Sequence, residues 1–446
     1  MLKKLQIENL FGYKKIDIDF NKDLTFLIGR NGSGKTTVLN ILSSLISGNV
    51  NFLLNYNFDS LKLYYKKNEK SHCIKLEKSN FDEFKLTWKE EEVIVKLEEL
   101  KSHIRAKLSS SGTDPFYSEK LDFYESNAIF KGISDEFNNL YLPLSRDTGN
   151  EFINPRIRNQ IQYRKMFYGL HGNIDKSLDY VNALIKEKQR TMMLEFEELN
   201  KIMQKEMLKS SFNFYSSQQF SYDNAEELMK VFKSKDELKQ AFEEMQLLTE
   251  DFREEIDKFF DKLKTSYESY YDWLQNKDNP NREFNDNAII TFIENSSQIQ
   301  RIIKWKEIIM KNNKTKSEIR KPMDDFLNTV NSYFEDSGKT LYLDENEGIL
   351  KFSTKFEEKI PLHKLSSGEK QIVIFFAYLI LGINTKKEGI YIVDEPELSL
   401  HIRWQQRFCD DIMRVAPNLQ MIFATHSPEI VGKYRDKVVI LGGDHA

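Results

Sequence analysis

Cysteine is nearly missing from this chain. Cys73 and Cys409 are its two thiols, far apart and in no C-x-x-C spacing, which excludes both a disulfide framework and a cysteine-ligated zinc site. No run of apolar residues is long enough to span a bilayer, and the charged opening MLKKLQIENLFGY lacks the apolar stretch of a secretory leader. A soluble protein of the reducing cytoplasm, without a membrane partner, is the expectation. A surplus of charge is absent too, since 65 Lys and Arg meet 69 Asp and Glu for a net charge of −4. A polyanionic partner would need a local basic patch rather than the field of the whole chain. Apolar material, by contrast, is ample: 446 residues, 40% hydrophobic and 13% aromatic, suffice for two domains or for one core with a large insertion.

Residues 3 to 28 alternate as strands. In KKIDIDF, Ile16, Ile18 and Phe20 alternate with charge, and LTFLIG follows as a buried run. A glycine-rich turn comes next, and from Thr36 the apolar spacing becomes helical. Short alternating stretches return in LKLYY, CIKL, FKLTW and VIVKL, and YLPLSRD gives one more strand ending at Pro143. From about Asp175 glycine all but disappears and Lys and Glu rise. Leu178, Val181, Ile185, Met192, Leu199 and Ile202 mark one helical stripe. Leu238, Met245, Phe252 and Phe259, spaced by seven, mark a second, with Phe242, Ile256, Leu263 and Tyr270 in the alternate seam. The spacing predicts an antiparallel helical arm whose first helix, 174–209, would reach about 54 Å. A compact helical subdomain packed on the sheet satisfies the same periodicity. Pro280 marks a break between helices. After Phe334 the order strand, helix, strand, helix, strand, with continuous apolar runs, predicts a parallel sheet covered on both faces. The regions are then 1–170, a first lobe; 171–335, the helical insertion; and 336–446, a second lobe.

Four motifs carry chemistry. IGRNGSGKTT fits G-x-x-x-x-G-K-[ST] directly after a strand and before a helix. Asn31, Gly32, Ser33 and Gly34 would curl backbone N–H groups around phosphates, Lys35 would pair with the β and γ oxygens, and Thr36, followed by Thr37, would offer a hydroxyl to Mg²⁺. IYIVDEPE ends a buried strand in acid: Asp394 suits Mg²⁺, and Glu395 suits the orientation or deprotonation of an attacking water. His426, ending QMIFATH, would reach the γ-phosphate or that water from the next strand edge. KLSSGEKQ opens a helix with Ser366, Ser367, Gly368 and Glu369, a second anion site at a helix N-terminus or, read more plainly, a capping box.

These motifs, GRNGSGKTT, LSSGEKQ, IYIVDEPELSLH and ATHSPEI, with the start LQIENLFGY, resemble the ABC-class ATPases of the branch holding SMC, Rad50, RecF and the overcoming-lysogenization-defect (OLD) proteins. The resemblance covers roughly 1 to 50 and 335 to 441. It implies an α/β ABC-type ATPase head, with a mixed-sheet N-terminal lobe, a parallel-sheet core and an inserted coiled-coil-like arm, that binds and hydrolyses ATP with Mg²⁺ at a slow rate. It also implies a head-to-tail dimer, larger assemblies being left open, in which Ser366 and Gly368 close over the partner's ATP. In that reading Ser399, Leu400 and His401 cross the interface and Phe11 and Tyr13 lie by the adenine. The family's glutamine loop has no glutamine in its expected place, and Ser145, Arg146 or Asp147 stand in for it.

Rad50-like arms are longer and carry a Cys-x-x-Cys hook, and OLD nucleases continue into an acidic metal-binding domain, whereas this sequence stops at Ala446. The resemblance therefore narrows to the stand-alone ATPases of bacterial anti-phage operons such as Septu and PARIS. It implies a sensor that regulates a separately encoded nuclease on meeting a phage-derived trigger, with DNA allowed but not required. The alternative is a RecF- or Rad50-like repair ATPase clamping DNA, for which RIRNQIQYRK at 156–165 is the basic stretch. An ABC transporter subunit would lack so long a helical insertion.

Overall fold

The computed structural model describes residues 1–48, 53, 56–80, 83–96, 127–137, 139–143, 174–213, 231–275, 286–344, 347–382 and 388–442. The candidate glutamine-loop residues Ser145, Arg146 and Asp147, the basic stretch 156–165 and Pro280 lie outside them. The chain divides into two units, Met1–Glu187 with Met323–Ala446, and Lys188–Pro322.

The first unit begins with β1 (Leu2–Leu10), β2 (Lys14–Asp19), β3 (Leu24–Ile28) and α1 (Lys35–Ile46). Then come β4 (Ser60–Lys67), β5 (Lys70–Asn80), β6 (Glu83–Trp88), β7 (Glu91–Lys96), α2 (Ala128–Glu136) and β8 (Asn139–Pro143). Six strands form a sheet in the order β2-β1-β4-β5-β6-β7, antiparallel at every pairing. Alternation sets its faces: Ile16 and Ile18 are buried while Asp17 and Asp19 are exposed.

Helices α3 (Ile174–Ser211), α4 (Lys235–Glu244), α5 (Glu250–Gln275) and α6 (Asp286–Phe334) follow, α3 entering the second unit and α6 leaving it. Back in the first unit are β9 (Thr340–Asp344), β10 (Ile349–Ser353), β11 (Ile360–Pro361), α7 (Ser367–Phe376), β12 (Gly389–Asp394), α8 (Ile402–Val415), β13 (Leu419–Ala424), α9 (Pro428–Val431) and β14 (Val438–Ile440). The apolar helix expected after KLSSGEKQ is α only to Phe376; Ala377–Gly382 widens to a π-helix.

The centre is a parallel sheet in the order β14-β3-β13-β12-β8, so both sequence lobes contribute to it. Successive residues of its strands serve opposite cores. Tyr391, Val393, Met421 and Phe423 pack with α7 and α8, while Ile390, Ile392, Ile422 and Ala424 pack with α1 and the antiparallel sheet. Two covered faces are why these strands read as unbroken apolar runs.

The second unit has a core of its own. Met203 and Met207 of α3, Phe242 of α4, Phe260 and Leu263 of α5, and Phe292 and Ile299 of α6 are all buried in it. The seam spaced by seven does not run on one helix. It is cut at Met245–Thr249: Gln246 takes φ 60°, Leu247 N donates to Phe242 O at 2.9 Å, and the Thr249 hydroxyl accepts from Phe252 N at 3.3 Å to start α5. The two halves of the seam then face one another, with the Phe242 and Phe252 ring centroids 5.2 Å apart. Apolar spacing records which residues are buried, not whether their partner lies on another helix or on the same one folded back.

Candidate nucleotide site

Four strands end on one row. Leu27 of β3 pairs with Ala424 of β13, Ala424 with Asp394 of β12, and Asp394 with Pro143 of β8. The segments that leave this carboxyl edge are the glycine-rich loop, the loop with His426 and the stretch Glu395–Leu400. An open parallel sheet binds ligands at such an edge, where loops from neighbouring strands converge.

The glycine-rich loop turns because its glycines permit it: Gly32 has φ 78° and Gly34, the N-cap of α1, has φ 97°. Gly29 is required for space, since a Cβ there would sit 2.5 Å from both the Leu441 carbonyl and Ser33 Oγ. The first turn of α1 contains no acid and no side-chain cap, so its N–H groups at Lys35, Thr36 and Thr37 keep their positive potential for an anion. Lys35 Nζ donates to Gly29 O at 2.9 Å and to Arg30 O at 3.5 Å, across the mouth of the loop. Burial lowers the pKa of this ammonium, with Asp394, Glu395 and Glu397 acting to restore it. Ser33 Oγ is buried and, among the described residues, has no hydrogen-bond partner.

Asp394 is 1% exposed, and neither of its carboxylate oxygens has a hydrogen-bond partner among the described residues. Burial pushes its pKa up to about 6; Thr36 and Lys35 pull it down, and the charges of Glu395 and Glu397 push it further up. A buried, unsatisfied carboxylate costs stability. Two unpartnered carboxylate oxygens with a threonine hydroxyl close by are a hard-oxygen donor set that suits Mg²⁺. Glu395 is half-buried at φ 51°, a left-handed conformation held by its N–H donating to Ala424 O at 2.8 Å.

Glu397, to which the acidic motif alone assigns no role, stands at the join of two loops. Its Oε1 accepts from His426 N at 2.6 Å and its Oε2 accepts from Thr425 Oγ1 at 2.8 Å. Lys14, another residue not singled out, donates its ammonium to Ser33 O over the glycine-rich loop. Glu397 lies inside the quoted acidic motif, so proximity in sequence was a signal for it. Nothing in the sequence pointed to Lys14, because a hairpin register places it.

Ser366 and Glu369 form the capping box that the sequence allowed. The Ser366 hydroxyl accepts from Glu369 N at 3.4 Å and Glu369 Oε2 accepts from Ser366 N at 2.8 Å. Ser366 and Ser367 remain exposed at this capped helix start. Glu369 is 4% exposed; burial opposes its ionisation, but Lys339 and the Ser366 backbone hold its pKa below the ordinary carboxylate value. Gly368 serves packing, since its Cβ would meet Ser399 O at 2.6 Å. Of the residues after the acidic strand, Ser399 and His401 are exposed, whereas Leu400 is buried in the core. Phe11 is 46% and Tyr13 76% exposed at the β1–β2 turn.

A phosphate loop, an acidic strand end and a serine-capped helix in one α/β unit define the class: an ATPase domain with a helical insertion. The chain belongs to the AAA ATPase domain family, whose sequence profile matches residues 1–431. It is 26% identical over 192 residues to a retron Vc95 probable ATPase of Vibrio cholerae serotype O1 biovar El Tor, covering 37% of this chain and 36% of that one. It is 27% identical over 154 residues to a retron Ec83 probable ATPase of Escherichia coli, covering 27% and 28%. The chain thus spans about a third of the length of the curated relatives it matches. Among solved structures, the Smc head domain of Pyrococcus furiosus aligns with 98% of this chain and 92% of its own at 14% identity, TM-score 0.39. The SMC head domain of Thermotoga maritima aligns with 98% and 93% at 11% identity, TM-score 0.38. Among the described residues no helix is long and apolar enough to cross a membrane.

Proposed function

We propose that this chain binds Mg–ATP at the glycine-rich loop and hydrolyses it in a head-to-tail dimer, and that nucleotide-driven assembly regulates a separately encoded nuclease in anti-phage defence. The observation that carries the ATPase reading is Asp394, a buried carboxylate with both oxygens unpartnered, beside Thr36 and Lys35. The defence reading draws on the names of the two partial relatives, both retron ATPases.

In this reading Asp394 and the Thr36 hydroxyl would hold Mg²⁺, which when bound would neutralise charge on the transferring phosphoryl group. Lys35 exchanges its bonds to Gly29 O and Arg30 O for phosphate oxygens, since both are acceptors of the same ammonium. The N–H groups of Asn31 to Thr37 cradle the phosphates, and Phe11 and Tyr13 lie against the adenine. Glu395 orients the attacking water and accepts its proton, while His426 contacts the γ-phosphate side. Ser366, Ser367 and Gly368 of one subunit face the nucleotide of the other, with the N-terminus of α7 supplying positive potential.

Steady-state hydrolysis tests this directly. Glu395→Gln should retain ATP and stop turnover, and co-expression with a neighbouring nuclease gene should make nuclease activity depend on the nucleotide state. Turnover by the Gln variant at the wild-type rate would remove Glu395 from the chemistry. DNA binding with a steep salt slope would instead favour a clamp.

A further inference from the structure

We infer that Glu397 is a positioning residue of the hydrolytic site, holding the His426 loop against the end of the acidic strand so that the imidazole meets the nucleotide at a fixed distance. The inference rests on the reading of His426 given above.

One carboxylate takes two consecutive residues of the neighbouring strand's exit. Oε1 accepts from the backbone N–H of His426 at 2.6 Å and Oε2 from the hydroxyl of Thr425 at 2.8 Å. Bonds to an ionised acceptor are the stronger kind. The Glu397 backbone is itself fixed, because Leu398 N donates to Glu395 O at 3.1 Å and Leu400 N to Glu397 O at 3.0 Å. Thr425 is fully buried and its N–H donates to Leu27 O at 3.2 Å, which ties the same point to the strand that feeds the glycine-rich loop.

The network then closes on itself. Ser427 N donates to Thr425 Oγ1 at 2.9 Å, and Ser427 Oγ donates to Gln405 Oε1 at 2.6 Å. Gln405 Nε2 donates to Leu400 O at 2.9 Å and Glu397 O at 3.5 Å, back on the segment where the path began. The His426 side chain is exposed, so its aim is set by its backbone rather than by packing. Glu397 is the contact that fixes this backbone from the acidic strand.

A competing role for Glu397, as the group that takes the proton from water, makes the opposite prediction for the amide. In the positioning role Gln still accepts from His426 N–H through its oxygen and donates to Thr425 Oγ1 through its nitrogen. As a base it would be as inactive as Ala.

The test uses the full chain with Mg–ATP, measuring kcat, KM, affinity for a fluorescent ATP analogue, and melting temperature. Glu397→Ala should lower kcat by about ten- to a hundredfold, the equivalent of one lost charge-assisted hydrogen bond. Analogue affinity should stay within about twofold, the pattern of an interaction felt after binding. Glu397→Gln should recover most of the rate, and Thr425→Val should cost less than Glu397→Ala. In a His426→Ala background Glu397→Ala should cost nothing further. The inference is overturned if Gln is as inactive as Ala, if the Ala variant loses the same factor without the imidazole, or if the loss falls on affinity alone. His426→Ala turning over at the wild-type rate is a separate result that overturns the underlying reading of His426. Should Glu397→Ala fail to fold, Glu397→Gln and Thr425→Val, each with and without His426, carry the same comparison.

Discussion

The backbone carbonyl of Ser399 lies against Gly368, so close that a single added methyl would come within 2.6 Å of it. The start of α7 and the loop beyond the acidic strand are therefore packed backbone to backbone within one chain. Ser399 reaches this position at φ 66°, a conformation that few side chains adopt. Gly368→Ala should force the two segments apart and destabilise the fold by about 1–3 kcal/mol, the usual range for overpacking. Its own glycine-rich loop should still bind ATP. Thermal melting with nucleotide-binding measurements checks this, and an unchanged melting temperature would show that the contact yields without cost.

Lys35→Ala should abolish nucleotide binding, because it removes the ammonium that spans the mouth of the loop. Calorimetric titration with ATP is the measurement. Micromolar affinity surviving in the variant would refute the role given to the loop.

Asp394 predicts a trade between stability and function. Its pKa rises from 3.8 to about 6 on folding because the ionised form is buried. The penalty is therefore absent below the unfolded value, grows as pH rises between the two values, and is fully present above the folded one. In chelator, Asp394→Asn should melt at a higher temperature than the parent at pH 8, with a gain of up to about 3 kcal/mol. That gain should shrink as pH falls toward the unfolded value, while hydrolysis is lost. Calorimetry at both ends of the range is decisive, and a gain independent of pH would contradict the burial account.

Ser366→Arg should leave binding to the subunit's own loop intact while placing bulk and a cation where a partner's γ-phosphate must approach. Mixed with Lys35→Ala, it gives heterodimers in which one composite site carries both defects and the other neither, so a fraction of turnover should return. Normal hydrolysis by the Ser366 variant alone at every protein concentration would rule out the head-to-tail dimer.

Replacement of Lys188–Pro322 by a short Gly/Ser linker tests the insertion. This segment has a hydrophobic core of its own. A shorter excision of 212–285 would strip the buried faces of Met203, Met207, Ile299 and Ile309, each large apolar side chain losing about 1.5–3 kcal/mol. The full replacement should fold and bind ATP yet lose biological output. Retained output would move recognition onto the first unit.

Conformation concentrated in a short segment could be read from sequence. The glycines at 29, 32 and 34, Lys35 and Thr36 stand within one turn, and their φ values and crowding are those such a loop requires. The apolar runs LTFLI, GIYIVD and LQMIFA announced a sheet buried on both faces, because every residue of a doubly covered strand avoids water. Capping by Ser366 and Glu369 was equally local.

Residues that act across the sheet could not be read that way. Strand order decides that the exits of β3, β13 and β12 are neighbours, and order comes from how whole elements pack rather than from any one segment. Only that order brings Glu397 under His426 N, as only the β1–β2 hairpin register brings Lys14 over Ser33 O. The break at Gln246 also depended on the tertiary structure, since burial spaced by seven is satisfied equally by a straight helix and by two helices folded on each other. Sequence determined which groups could hold a phosphate and a metal. The packed sheet decided which further side chains stand beside them, because hydrogen bonds between strand exits exist only once the strands lie side by side.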